Sequence, residues 1–153
     1  MRNNYSNWLK INFETKKKNI VQFKKAILMV AGAAAQTFMD QFAEEQEIML
    51  HLADMIIYTY AAESVLLRIE KQQHTADAAK MNLLKDVADV YFYDVASLIN
   101  KHGVDAVNAF AQADERQAML MGMKRFTKAA SVNTIAARRR IAAKVIEEVK
   151  YIF

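Results

Sequence analysis

Three histidines, at positions 51, 74 and 102, are the first residues of this sequence that could bind a metal. A di-iron site in a helical bundle needs Glu-x-x-His on two helices and two further glutamates. The residues three places before His51, His74 and His102 are isoleucine, lysine and isoleucine, so that motif is missing. The HExxH pattern of zinc proteases is missing too. Glu47 and His51 lie one helical turn apart, which predicts a surface contact, and we assign no metal ligand.

Nucleophilic and phosphate-binding chemistry have no candidate residues either. The chain has no cysteine, and its three glycines are not clustered as a phosphate-binding or dinucleotide-binding turn requires. No serine carries the local pattern of an activated nucleophile. The sequence therefore predicts no catalytic residue and no cofactor-binding residue in this chain.

The run Arg138-Arg139-Arg140 is the most basic part of the sequence. Successive helical residues are about 100° apart, so three in a row cannot all face one phosphate backbone. Arg138 shares a helical face with four apolar residues, which are Ile135, Ala142, Val145 and Val149. We therefore expect Arg138 to be buried and paired with a carboxylate, because an unpaired buried charge is costly. Arg140 is expected to point away from the core.

Two acidic residues are the leading partners for Arg138. Asp54 and Glu63 lie on a stretch that is otherwise almost wholly apolar, and Asp94 is a third candidate. The alternative is that the arginines contact an anion, such as nucleic acid or an acyl phosphate. We favour the paired arrangement, because arginine is rarely buried without a partner.

Length and composition place these residues on helices. The chain has 153 residues, 54% hydrophobic and 25% charged, which is a globular balance. Proline is absent and glycine occurs three times, so the turn chemistry of β-hairpins is missing. We expect an all-α, antiparallel bundle of about five to six helices around a long central helix (about 42–71). Because that stretch is apolar around most of its girth, we expect it to be buried around most of its girth.

The remaining helices are predicted from apolar spacing and from their end signals. They cover about 16–38, 76–101, 104–111, 114–128 and the stretch from about 134 to the terminus. Gly103 is expected to end the helix over 76–101 in a left-handed conformation. The expected N-terminal caps are Thr75, Asp114 (with Gln117 completing a capping box), and either Ser131 or Asn133.

Residues 1–15 show no helical period. They contain five large apolar side chains, which are Tyr5, Trp8, Leu9, Ile11 and Phe13. Such a load favours a segment that folds back on the bundle or packs against another domain. We interpret 1–15 as a remnant of an inter-domain linker or of a preceding domain, and 16–153 as a single helical domain.

Charge is unevenly distributed along the chain. Residues 1–25 carry +6, residues 26–123 carry −8 and residues 124–153 carry +6, which gives the net +4. Basic ends can serve nucleic acid or an anionic membrane. The plainer interpretation, which we favour, is that the basic segments lie against the acidic helices or in solvent.

The sequence also indicates where the protein resides. The N-terminus lacks the apolar core of a signal peptide. The best apolar run, residues 26–35, has ten residues against about 20 required to span a bilayer. The absence of cysteine suits a reducing compartment. We therefore expect a cytoplasmic protein.

Two sets of residues carry a resemblance to a known family. The set in the first half is Ala31-Gly32, Gln36, Glu45-Gln46, Leu52-Ala53-Asp54, Tyr60-Ala61, Glu63 and Arg68. The set in the second half is Arg125-Phe126-Thr127, Val132-Asn133-Thr134, Arg138-Arg139, Ile141-Ala142 and Tyr151-Ile152-Phe153. Over about 16–153 the sequence resembles the helical C-terminal domain of acyl-CoA dehydrogenases of the very-long-chain-like type, and its ending resembles the close of bacterial members.

The resemblance implies a parent enzyme that uses FAD to oxidise an acyl thioester across its α,β carbons, with a glutamate as general base. In the family those parts precede this domain, so no catalytic or flavin-binding residue is carried over to this chain. The chain alone is not expected to be an enzyme. The implied partner is the catalytic body of the same polypeptide, in a homo-oligomeric parent, with peripheral membrane contact in some members. Nucleic acid is not expected as a partner.

The alternative is a freestanding helical module that binds anionic lipid, nucleic acid or a protein partner through its basic ends. The gene distinguishes the two hypotheses. A reading frame that continues far upstream would favour the dehydrogenase, and a native start at Met1 would favour the module.

Overall fold

The protein's computed structural model describes residues 2–73 and 75–149, with side chains from Asn12 onward. These residues form five α-helices and one 3₁₀ helix, in the order α1 (Arg2–Phe38), the 3₁₀ helix (Met39–Glu44), α2 (Gln46–Gln72), α3 (Ala78–Phe110), α4 (Ala113–Phe126) and α5 (Thr134–Glu148). The predicted all-α bundle is confirmed. The helix predicted at 42–71 corresponds to α2, which begins later, at Gln46, and is shorter than α1 and α3.

The core lies between helices that each bury one face. In the described part of the chain, α3 packs against all four other α-helices, and α1 packs against α2, α3 and α4. The largest fully buried side chains are Phe23, Val30, Met55, Phe92, Val95, Ile99, Val107 and Met123. Those that share a helix are separated by three, four or more residues, as one face of a helix requires. The core is therefore built by α1 to α4.

Helix α3 runs through Gly103, where the sequence predicts a helix end. A Cβ on Gly103 would collide with the Met123 side chain of α4 and would lie 3.2 Å from Met55 Cε of α2. No described glycine has a positive φ. Glycine at this position therefore permits three helices to approach closely. The predicted stop at Gly103 and the separate helix over 104–111 are both wrong.

Asp77, rather than Thr75, caps the N-terminus of α3. The Asp77 carboxylate accepts a hydrogen bond from the backbone N–H of Lys80 at 2.8 Å, which satisfies one of the free donors at a helix start. The Thr75 hydroxyl instead donates to the Gln72 carbonyl, at 3.4 Å. The predicted Thr75 cap is wrong because the helix starts two residues later.

The predictions for the two later caps have opposite outcomes. Asn133 caps α5 as predicted, because its side chain accepts from the Ala136 backbone N–H at 3.0 Å. The Asp114 capping box is wrong. Helix α4 begins at Ala113, and its N-cap residue Gln112 makes no side-chain cap bond.

Helix α1 extends back to Arg2, although residues 1–15 show no helical period. Phe13 and Lys16 are both buried, so the bundle holds this helix from Phe13 onward. The expectation for Tyr5, Trp8, Leu9 and Ile11 concerns side chains outside the described part of the structure. The division of the chain at residue 15 stays a prediction.

Candidate docking face on helix α2

Helix α2 is apolar on two sides, and only one of them enters the core. The buried side consists of Ile48, Leu52, Met55, Thr59, Ala62, Leu66 and Ile69. This side packs against α1 and α3. The prediction that the stretch 42–71 is buried around most of its girth is therefore wrong.

The other side of α2 is apolar and exposed. Six large side chains there have relative exposures of 42–72%, and they are Met49, Leu50, Ile56, Ile57, Tyr60 and Leu67. Four of the six fall within an arc of about 40°, in a row about 27 Å long from Met49 to Leu67. Ala53 and Ser64, which are also exposed, fill gaps in this row. We call the six large residues the α2 face.

The composition of the α2 face is that of an interface. Single exposed apolar side chains are normal on a protein surface, whereas a contiguous row marks an interaction site. Interface centres are enriched in Tyr and Met and poor in charge, with a polar rim. The edge of the face towards α1 carries such a rim, since Lys24 Nζ donates to the two Glu63 oxygens at 2.9 and 2.8 Å.

The sequence predicts that Arg138 is buried and paired with Asp54 or Glu63, and the structure separates Arg138 from both. The Arg138 side chain is 52% exposed, and it donates to Asp94 Oδ2 at 2.6 Å. Asp54 lies 3.5 Å from His102 Nδ1, and Glu63 lies at the edge of the α2 face. The predicted burial of Arg138 and its pairing with Asp54 or Glu63 are wrong. Its partner is the third candidate, Asp94.

The orientation of α5 explains this outcome. Ala137 is the one buried residue of α5 among those described, so the side that faces α3 runs through Ala137. Arg138 is about 100° further round the helix, at the flank of this contact. All four apolar residues that the sequence assigns to the inward face are exposed, and they are Ile135, Ala142, Val145 and Val149.

Arg140 binds a more buried carboxylate of α3 than Arg138 does, although its own side chain is 59% exposed. Its Nε and one terminal N–H donate to the two Asp86 oxygens, each at 2.7 Å, which is the bidentate geometry of a strong ion pair. The Asp86 side chain is 11% exposed. The hydrogen bond with Asp86 raises the pKa of Arg140 above its ordinary value. Arg140 is therefore exposed, as predicted, but it binds α3 instead of pointing away from the core.

The basic ends of the chain lie against acidic helices, as the plainer interpretation predicts. Lys16 pairs with Asp89 of α3 at 2.6 Å, and both side chains are 9% exposed. Lys85 also donates to Asp89, at 2.6 Å. Burial alone would raise the pKa of the Asp89 carboxyl, but the hydrogen bonds from Lys16 and Lys85 hold it below its ordinary value. Lys17 binds Glu70 of α2 at 2.7 Å, and this hydrogen bond raises the pKa of Lys17.

His51 of α2 and His102 of α3 are in contact, although 51 residues separate them in the sequence. Their Nδ1 atoms are 3.0 Å apart, and their ring centroids are 5.3 Å apart. In the described part of the chain, no ion pair joins Glu47 to His51, so the predicted surface contact is not formed. Local sequence patterns could not reveal the histidine contact, because each ring meets its partner only after the bundle has folded.

Neither a metal-binding cluster nor a glycine-rich phosphate turn occurs among the described residues. No group of three or more His, Cys, Asp or Glu side chains among them could hold a metal ion. Gly32, Gly103 and Gly122 lie inside helices rather than at a helix N-terminus, so none of them forms a phosphate-binding turn. Within the described ranges, every helix is too short or too polar to cross a bilayer.

Comparison with known proteins identifies the family. The model of the family described as acyl-CoA dehydrogenase, C-terminal domain, matches residues 22–125, which is more than half of the chain. The chain belongs to this family. The matched region runs from α1 to α4, so it includes the whole α2 face and leaves α5 outside. The resemblance predicted from the sequence is confirmed.

Two relatives show how the domain relates to longer proteins. A probable acyl-CoA dehydrogenase of Bacillus subtilis (strain 168) is 30% identical over 138 residues, covering 90% of this chain and 23% of the relative. The crystal structure of an acyl-CoA dehydrogenase complexed with FAD from Bacillus anthracis matches with a TM-score of 0.84 and 32% identity, covering 90% of this chain and 24% of that one. The domain therefore spans about a quarter of the length of these relatives.

Proposed function

We propose that this chain is the helical C-terminal domain of a longer FAD-dependent acyl-CoA dehydrogenase, in which it supplies a docking surface and no catalytic group. The α2 face carries this proposal, because no helix of the described chain covers it. The domain spans about a quarter of its relatives' length. The occupant of the α2 face is then the catalytic body of the same polypeptide.

In this proposal the catalytic body carries out the chemistry and the C-terminal domain supplies an interface. The parent enzyme introduces an α,β double bond into an acyl-CoA in fatty-acid oxidation, and FAD accepts the electrons. We assign the glutamate base and the flavin-binding segments to the catalytic body, since the three glycines of this chain lie inside helices and form no phosphate-binding turn. This domain contributes Tyr60 and its apolar neighbours as the buried centre of the interface, with the Lys24–Glu63 pair at its rim.

The energy available from the α2 face is enough for intramolecular docking. Full burial of a large apolar side chain contributes about 1.5–3 kcal/mol. The six residues are already about half buried, so docking would add roughly 1 kcal/mol each, or about 6 kcal/mol together. A tethered domain does not bear the full entropic cost of association between free molecules. This energy suits a domain held permanently against its own polypeptide.

Oligomer geometry and peripheral membrane contact of the parent belong to the same proposal. Supporting them is a second exposed apolar surface, on the outer side of α5, where Ile135, Ile146 and Val149 have exposures of 63–88%. The freestanding lipid- or nucleic-acid-binding module has less support. Several of the basic side chains that it would need are engaged by carboxylates of α2 and α3.

The test compares two charge substitutions in the isolated domain and in the intact polypeptide. Tyr60→Lys places a charge in the α2 face, and Met121→Lys is a matched control on α4, since the two side chains are 72% and 67% exposed. In the intact enzyme we expect Tyr60→Lys to lower stability by about 2–4 kcal/mol, because it removes a buried aromatic and buries an amine. In the isolated domain both substitutions should have small effects.

Two results would contradict the proposal. One is a Tyr60→Lys effect that is equally small in the isolated domain and in the intact polypeptide. The other is a gene in which no acyl-CoA dehydrogenase body precedes this domain. The intact polypeptide should purify with FAD and oxidise acyl-CoA, whereas the 153-residue chain should do neither.

A further inference from the structure

The contact between His51 and His102 has no part in the docking proposal and requires its own explanation. It joins α2 to α3, which form the most extensive helix–helix contact of the described chain. His51 is partly buried and the His102 side chain is 19% exposed, so both rings are within reach of solvent protons. The Tyr58 ring lies beside His102, with 5.7 Å between the ring centroids.

The distance between the two rings determines how many protons the pair can hold. A separation of 3.0 Å between Nδ1 atoms is that of an N–H···N hydrogen bond. One imidazole must therefore carry hydrogen on Nδ1 while the other offers a lone pair there. A first added proton can go to Nε2 of the donor ring without breaking this bond. A second must occupy the accepting lone pair, so two N–H groups and two positive charges would face each other.

Two carboxylates lie near the rings, and one of them is shared with a lysine. Asp54 Oδ2 of α2 lies 3.5 Å from His102 Nδ1. Asp105 of α3 is engaged by Lys101. The hydrogen bond from Lys101 holds the pKa of Asp105 below its ordinary value. On α1, α4 and α5, no charged side chain of the described residues binds either ring.

We propose that the His51–His102 pair is a pH-sensitive clasp that holds α2 to α3 while the rings carry at most one extra proton, and opens when both are protonated. With both rings protonated, two N–H groups and two positive charges would meet at the 3.0 Å contact between the Nδ1 atoms. The unfolded chain keeps the rings apart, so acidification should weaken the contact between α2 and α3 and lower stability.

The test measures the urea midpoint of the chain at about pH 7 and pH 5, where histidine is the side chain that changes charge. His51→Gln and His102→Gln keep a polar side chain but remove the second imidazole. We expect the wild-type midpoint to fall from pH 7 to pH 5, and both variants to lose most of this fall. Glu47 is an exposed residue one turn before His51. In Glu47→Gln the urea midpoint should fall from pH 7 to pH 5 as much as in the wild type. A fall that persists in either histidine variant would overturn the proposal.

A second measurement does not depend on the stability of a variant. In the ¹⁵N spectrum of the wild-type side chains at about pH 8, one ring of the pair should be fixed with hydrogen on Nδ1 and the other with hydrogen on Nε2. On acidification to about pH 5, both signals should change together as the rings separate. Two rings with the same tautomer, or with independent titrations, would overturn the clasp.

Discussion

Removal of the Asp89 carboxylate should be among the most damaging single changes in this domain. Asp89 accepts from Lys16 and Lys85, each at 2.6 Å. Lys16 is 9% exposed in its side chain and lies over the Phe92 ring, with Nζ 5.2 Å from the ring centroid. The variant Asp89→Ala leaves this ammonium group buried without its counter-charge. Lys85 is 22% exposed and can turn to water.

The size of the loss follows from burial. Removing one member of a buried ion pair typically costs about 3–5 kcal/mol, a large share of a total stability of about 5–15 kcal/mol. At about 2–4 °C per kcal/mol for a chain of this length, Asp89→Ala should lower Tm by roughly 6–20 °C. The double variant Lys16→Met/Asp89→Ala should recover most of this loss, because it also removes the stranded charge.

A matched control lies on the same helix. Asp94 of α3 pairs with Arg138, but the two side chains are 43% and 52% exposed. Exposed pairs contribute about 0–1 kcal/mol, so Asp94→Ala should change stability by no more than about 1 kcal/mol. Thermal and urea unfolding of both alanine variants measures the difference. Equal losses for Asp89→Ala and Asp94→Ala, or no recovery in the double variant, would refute the reasoning.

Three further predictions concern stability. Gly103→Ala should destabilise by about 1–3 kcal/mol because the buried Met123 must move. At Gly32 an added Cβ would meet no neighbour within 4 Å, so Gly32→Ala should stabilise by about 0.5–1 kcal/mol. If Gly103→Ala and Gly32→Ala shift the urea midpoint in the same direction, this reasoning is contradicted. Arg140→Ala should lower the urea midpoint more than Arg138→Ala, since it strands the largely buried Asp86. The pKa of Asp89 is lowered by folding, so its stabilisation is present above about pH 4 and is lost as pH falls through the folded value. Asp89→Asn should therefore flatten the acid end of the stability profile, and an unchanged acid limb would contradict this.

The sequence predicts those features of the fold that depend on residues close together in the chain. Composition and apolar spacing gave the helical class, and Asn133 was recognisable as a cap because its partner, Ala136, is three residues away. The sequence predicts the wrong role for Gly103 because glycine serves both helix ends and close helix packing. Only the position of Met123 distinguishes the two roles.

The candidate site depended on tertiary contacts that the sequence does not encode locally. The sequence shows that α2 is apolar around most of its girth. It does not show that the neighbouring helices cover only one side of α2 and leave Tyr60 and Ile57 exposed. The rotation of α5 is set by the small residue Ala137 against α3, so Arg138 lies beside the contact and Arg140 reaches Asp86. The His51–His102 contact requires residues of two helices to meet across 51 positions.

The most direct test of the docking claim is the accessibility of the α2 face in the intact enzyme. The 153-residue chain has no cysteine, so Tyr60→Cys provides one reactive thiol in it, and Met121→Cys provides a control of similar exposure. Maleimide labelling of each site, followed by mass spectrometry of the labelled peptide, gives its rate in the isolated domain and in the intact polypeptide. We predict that Tyr60→Cys labels about tenfold more slowly, or slower still, in the intact polypeptide, while Met121→Cys labels at similar rates in both. An unchanged labelling rate at Tyr60→Cys would contradict docking through the α2 face.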